Sequence, residues 1–368
     1  MLDNSTYEKD SLTDRQTDKD LHVVLIRFIA ILLVLLGHSF EPFYENGVFY
    51  INSGELYNPK WMHIVGTFIY TFHMPLFISI SGWLFYYEVK KSRDVSSKFL
   101  NLAFLKKKIW RLIIPFILMM YVWRKPLSYL IWPGTVPQTL REYIKFGTTG
   151  PLWYLYVLFG IFCIQKVLMW LLWKDRKSTF IALGVFSVIG YSGYFFQSTL
   201  RFMMIYSFYF YLGAYLHYER ECHINSESER QSKINILLLT ILGIVLTTVH
   251  VGCHFDEEWF SNLILFLSAV IDVVAAWKVI ENYRIAELPK GILKVDNHGM
   301  GIYLFQTEIM ALIARVCTGF DNYFIVWIIT FLAGLIGSYL LTDLVRKMHL
   351  TALIGEYRPK KLMVKAKV

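Results

Sequence analysis

Arg27 and His38 share one apolar run, "LHVVLIRFIAILLVLLGHSF", over residues 21–40. A run of about 20 mainly apolar residues is long enough to cross a bilayer. An ionised side chain in hydrocarbon costs roughly 2.5–3.5 kcal/mol by insertion scales, so two ionisable groups in such a run mark a position with a purpose. They are 11 residues apart. That is about 16.5 Å of rise and three turns plus about 20°, so both point along one helix face. The distance is too great for a direct pair. Two readings fit: two stations along one pathway, one near each membrane face, or an Arg27 that snorkels to the inner headgroups and a His38 resting at the outer interface. The first reading carries chemistry. Histidine exchanges a proton near neutral pH, whereas arginine stays charged and can only hold an anion. Glu41, three residues after His38, is a candidate to orient the imidazole, with Pro42 disturbing the helix beside it.

The next apolar run, "TFHMPLFISISGWLFYY", places His73 near mid-depth with Pro75 just after it and Ser79, Ser81 and Gly82 further on. Proline removes an amide donor and bends a helix, and small residues let another helix or a thin ligand approach. His73 reads either as an interior polar site or as a packed histidine bonded to a carbonyl. "FLKKKIWRLIIPF" leads Lys106, Lys107, Lys108 and Arg111 into the membrane ahead of Pro115. Lys108 and Arg111, three apart, share a helix face. They suit a phosphate-rich ligand at that mouth, or serve as topology anchors. "GPLWYLYVLF" puts Trp153, Tyr154 and Tyr156 at the opposite face, as an interfacial belt or a stacking platform for a sugar. His250 and His254 have a metal-ligand spacing without a third ligand, and no metal site is expected. Glu308 and Arg315 roughly share a face and are expected to pair with other helices. Asp272 calls for a cationic partner, with Lys166 the guess.

The elements that must position these residues follow from hydropathy. The 368 residues are 55% hydrophobic, 17% aromatic and 18% charged, with a mean hydropathy of +0.43. A soluble domain carries about a quarter charged residues, so the composition is that of an integral membrane protein. Ten candidate spans fall at 21–40, 61–87, 105–123, 151–173, 179–197, 201–218, 234–253, 258–280, 298–318 and 323–345. With the N-terminus cytoplasmic, 28 Lys and Arg fall inside and five outside, among them Arg124 and Lys125. That bias sets both termini on the cytoplasmic side, and it explains the net charge of +9 without a nucleic-acid partner. Cys163, Cys222, Cys253 and Cys317 are scattered, which argues against a disulfide framework. The expected fold is all-α: a polytopic membrane helix bundle of about ten transmembrane helices over 21–347. A disordered cytoplasmic tail (1–20) precedes it and a basic cytoplasmic tail (348–368) follows.

These residues resemble the acyltransferase 3 family of membrane O-acyltransferases. Arg27, ten residues and then His38 is similar to the family's first-helix signature. "FHMPLFISISGW" is similar to its second-helix motif, especially in the fucose 4-O-acetylase-like branch, and "KIWR" with Pro115 to its paired basic residues, Lys108 standing where Arg is usual. "GPLWYLYVLF", "FYLGAYL" and "GIYLFQTEIM" resemble later segments, with Gln306 where a His is common. The resemblance implies transfer of an acyl group, usually acetyl, from cytoplasmic acyl-CoA to a hydroxyl of a surface polysaccharide or its lipid-linked precursor. His38 would be the catalytic base, with the donor held by Arg27, Lys107, Lys108 and Arg111. Glu41, His73, Ser79, Ser81, Trp153, Tyr154 and Gln306 would complete the pocket. Acetyl-CoA would be a substrate, with no bound cofactor, and the setting a bacterial cytoplasmic membrane. The rival reading is a transporter or flippase for a glycan intermediate, although no internal repeat of the transporter kind is visible.

Overall fold

The computed structural model describes residues 20–43, 59–91, 102–132, 139–142, 152–172, 175–192, 199–222, 229–253 and 257–356. Among them ten long helices follow one another, with short 3-10 turns at Glu41–Phe43 and Thr351–Ile354, and no strand occurs. We number them α1 (Leu21–Phe40), α2 (Lys60–Lys91), α3 (residues 102–131), α4 (Trp153–Leu172), α5 (Arg176–Ser192), α6 (Thr199–Cys222), α7 (Glu229–Gly252), α8 (Glu258–Glu281), α9 (Lys290–Val316) and α10 (Tyr323–Lys347). Only α1, α2, α7, α8 and α10 are long and apolar enough to cross a membrane by length and composition alone. The polar residues in α9 have a physical reason. From Gly301 to Glu308 every side chain is buried, Gln306, Thr307 and Glu308 included, so α9 is the bundle's inner helix and is screened from lipid by its neighbours. α7 and α10 are the reverse, with only 11% and 22% of their apolar windows buried. This is a multi-pass membrane helix bundle.

Small residues bring the helices together, as expected where lipid removes the hydrophobic drive for helix pairing. A Cβ on Gly82 would lie 1.7 Å from the Phe210 carbonyl oxygen, and one on Gly213 would lie 1.9 Å from that of Ser79. α2 and α6 therefore meet backbone to backbone. The start of α1 is fixed by Asp20, which accepts from the His22 amide at 3.0 Å and from Arg220 of α6 at 2.7 Å. Partial burial pushes the Asp20 carboxyl up, but Arg220 and His22 outweigh it and hold it below its ordinary value. α3 is not a plain α-helix. Its α-helical pieces Leu102–Lys108, Ile114–Leu118 and Lys125–Ile131 alternate with π-helical segments Ile109–Ile113 and Met119–Arg124. Each π segment adds a residue to a turn and redirects the side chains around it, a feature common at functional sites.

Two expectations change here. Arg124, expected in an outer loop, lies on the second π segment and donates to Glu308 of α9 at 2.7 Å, with side chains 16% and 2% exposed. The loop-like "RKP" misled, because Pro126 sits inside α3 directly after the second π segment, where the ladder is already irregular. The packed chain also continues past the expected boundary at 347. A 3-10 turn, Thr351–Ile354, ends in Gly355 at φ +65°, and a Cβ there would lie 2.4 Å from the Arg111 carbonyl oxygen. Residues 1–19 of the expected N-terminal tail (1–20) and residues 357–368 lie outside the described residues. The lysine and arginine bias makes the orientation testable. With the four native cysteines replaced, cysteines introduced at Ser53 and Thr135 should react with an impermeant thiol reagent in intact cells. Those at Ser97 and Ser228 should not; labelling at Ser97 would reverse the orientation.

Candidate active site

α1 and α9 run side by side in the same direction, and three contacts give their register. Arg27 donates through Nε to Asp296 Oδ1 and through Nη2 to Oδ2, the latter at 2.7 Å. One turn on, Gly299 meets Ile31, whose Cδ1 would lie 2.5 Å from an added Cβ. Two further turns on, the Gln306 amide lies beside the His38 imidazole. Each station of α1 therefore has its own partner on α9. Asp296 escaped the sequence reading, because it sits among Lys294 and His298 in a stretch that resembles a loop approaching a span. Its side chain is 1% exposed against 26% for Arg27. The guanidinium is thus held at the edge of the bundle by a fully buried carboxylate through a bidentate fork, the strongest geometry such a pair adopts.

Around His38, in the last turn of α1, the second helix supplies Tyr70 and His73. The Tyr70 ring lies 6.2 Å from the His38 ring and 4.7 Å, edge-on, from that of His73. The Tyr70 hydroxyl donates to the buried Glu41 carboxylate in the 3-10 turn that extends α1. Glu41, expected to orient the imidazole, thus spends an oxygen on Tyr70, which the sequence reading did not single out. His73 Nδ1 lies 2.9 Å from the Ile69 carbonyl. A carbonyl only accepts, so Nδ1 carries the proton and Nε2 the lone pair. Four polar side chains and Gln306 therefore line one place between α1, α2 and α9.

The basic cluster does not act as a block. Lys107 reaches Glu88 at 2.7 Å and stays 56% exposed. Lys108 is buried, with its ammonium 3.5 Å from Glu88 and 3.9 Å from the centre of the Phe162 ring. Arg111, on the first π segment, is solvent-exposed. It makes no hydrogen bond or ion pair to a described residue, and its charged neighbours are Arg27, Glu88 and Glu356. Two guanidiniums thus face one mouth, and Arg111 is the one with its fork unused.

Other expected pocket residues are placed differently. Ser79 is a packing group: its hydroxyl donates to the Leu76 carbonyl at 2.8 Å and accepts from Trp277 Nε1 at 3.0 Å. Ser81 Oγ lies 3.2 Å from the Tyr154 hydroxyl. Tyr154, expected at the outer face, packs edge-on against Phe77 at 5.5 Å and Tyr303 at 5.4 Å between ring centres, so the start of α4 lies within the bundle. Trp153 stacks on Phe202 and Tyr206 of α6 at 5.1 and 5.2 Å between ring centres, so it is engaged in packing. Glu308 pairs with α3, another helix, as expected. Asp272 takes no cation among the described residues. It accepts from the Thr247 hydroxyl at 2.7 Å with Gly243 against it. The Lys166 side chain and His254 lie outside the described residues.

Among known families, the one described as an acyltransferase domain (acyltransferase 3) matches residues 23–343. No curated protein and no solved structure matches the chain.

Proposed function

The chain belongs to the acyltransferase 3 family, and from that membership we propose that it moves a short acyl group, acetyl in the first instance, from cytoplasmic acyl-CoA to a sugar hydroxyl. The acceptor in this reading is a surface polysaccharide or its lipid-linked precursor, and the site of action a bacterial cytoplasmic membrane. The observation that carries it is the layout of α1. Arg27 and the unused fork of Arg111 stand at the basic mouth, and His38 stands about 16.5 Å further along the same helix.

The charged head of the donor stays at the mouth, where a guanidinium matches phosphate oxygens in a planar fork. Arg111 is the primary contact, Arg27 is held in place by Asp296, and Lys108 adds positive potential from beneath the Phe162 ring. The thin pantetheine arm passes inward and places the thioester at His38. There the imidazole takes the proton of the acceptor hydroxyl as its oxygen bonds to the thioester carbon. The C–S bond breaks, the thiolate leaves and the imidazolium returns the proton to sulfur, giving an ester and a free thiol. General-base help of this kind is worth roughly 10²–10⁴-fold.

Arg111→Ala tests the donor side. Phosphate contacts are shared by ground and transition states, so their loss raises KM with little change in kcat. A charge-assisted contact is worth about 1.5–3 kcal/mol, which corresponds to a KM at least about tenfold higher. High salt should weaken donor use by wild type in the same direction. A wild-type KM in Arg111→Ala would reduce the cluster to a topology anchor.

A further inference from the structure

Gln306 has no exposure at all, and it lies inside the bundle on α9. Neither its amide nitrogen nor its amide oxygen makes a hydrogen bond of ordinary geometry to another described protein atom. Leaving such a group unpaired costs about 1–3 kcal/mol, so a leucine or methionine of similar volume would be the more stable choice for a purely structural position. Among the described residues the amide lies beside the His38 ring. The α1–α9 register makes that placement systematic: Arg27 faces Asp296 through a bidentate pair, and His38 faces Gln306 further along the same two helices. At the mouth the partner is a carboxylate and the station a permanent cation. In the interior the partner is a neutral amide and the station a group that must start neutral.

We propose that Gln306 is the positioning residue for His38: its amide oxygen accepts from one imidazole N–H, fixes the ring in a single tautomer and leaves the other nitrogen bare as the base. The role is that of the third member of a catalytic triad, filled here by an uncharged group. A carboxylate in that place would raise the proton affinity of the imidazole and narrow the pH range in which the base is free. An amide orients without charging. The other titratable groups facing His38 are His73 and Tyr70 from α2 and Glu41 from the turn after α1. Glu41 is engaged by Tyr70, and His73 is anchored through Nδ1 to Ile69.

The role of His38 as base rests on the acyl-transfer reading, but its tautomer can be read without any reaction. The protein is labelled with ¹⁵N-histidine and placed in lipid nanodiscs, and the His38 ring signals are assigned by their loss in His38→Ala. Wild type should show one protonated and one bare ring nitrogen in a single tautomer. Gln306→Met, which keeps volume and removes the acceptor, should give a mixture, and its kcat should fall about 10²-fold or more with KM unchanged. Gln306→Glu should move the acid limb of the pH–rate profile upward by about 1–3 units, as a new anion beside an imidazole does. A His38 signal that is the same in Gln306→Met as in wild type overturns the positioning role, whatever the activity. A tautomer that responds as expected in a protein with no acyl transfer would leave the positioning intact and overturn the function instead.

Discussion

His38→Ala should lose acyl transfer, with turnover down about 10²–10⁴-fold, while the protein accumulates in the membrane at the wild-type level. Two features separate chemistry from folding here. His38 is in the last turn of α1, next to a 3-10 turn that already departs from regular helix. Its removal shortens one side chain beside Tyr70 and leaves the Arg27–Asp296 and Gly299–Ile31 contacts that set the α1–α9 register untouched. Thiol release from acetyl-CoA, followed in detergent-solubilised protein with acceptor present, measures the loss directly. The wild-type rate should rise with pH until the imidazole is neutral and then level off. A His38→Ala protein that turns over near the wild-type rate would shift the role of base to His73, whose Nε2 carries a lone pair 35 residues along the chain in the same cluster.

Asp296→Ala should be the most damaging single change to stability at the site. It strands the Arg27 guanidinium, which is only 26% exposed, beside a cavity where its counter-charge was. Breaking a buried pair from one side costs about 3–5 kcal/mol, because the remaining charge stays uncompensated. Arg27→Leu combined with Asp296→Leu removes both charges and should restore most of the thermal midpoint, since well-packed apolar replacements of a buried pair are often neutral. The double variant should still fail in transfer, as the mouth has lost a cation. Thermal unfolding of the three proteins in one detergent decides the structural half: a wild-type midpoint for Asp296→Ala would mean that Arg27 is solvated without its partner. Donor KM decides the functional half.

The legible parts of this molecule are those in which one helix carries its own signal. Arg27 and His38 stand out because nothing else in residues 21–40 is ionisable apart from His22 at its start, and hydropathy alone marks α1, α2, α7, α8 and α10 as membrane-crossing. Partners across the bundle were not legible. Asp296 lies 269 residues from Arg27 and Tyr70 lies 29 from Glu41, and no periodicity links positions on different helices. Depth was illegible for Tyr154, because aromatic residues at the start of a span look alike whether that start is at the interface or inside. Asp272 shows that a half-buried carboxyl can rest, among the described residues, on a hydroxyl and a close glycine. Arg124 was hidden by a proline that reads as a breaker in sequence, whereas α3 runs through it directly after a π segment.

In the proposed function the acyl group crosses the membrane, with the donor taken at the basic mouth and the acyl group delivered near the far end of α1. Membrane vesicles of known orientation, prepared from cells with and without the protein, test it most directly. Acetyl-CoA labelled in the acetyl group is added to the outside of inverted vesicles and of right-side-out vesicles, and label is followed into the glycan fraction. Label should enter glycan from inverted vesicles only, dependent on the protein and absent with His38→Ala. Equal labelling from right-side-out vesicles, or labelling by His38→Ala vesicles at the wild-type rate, would contradict it.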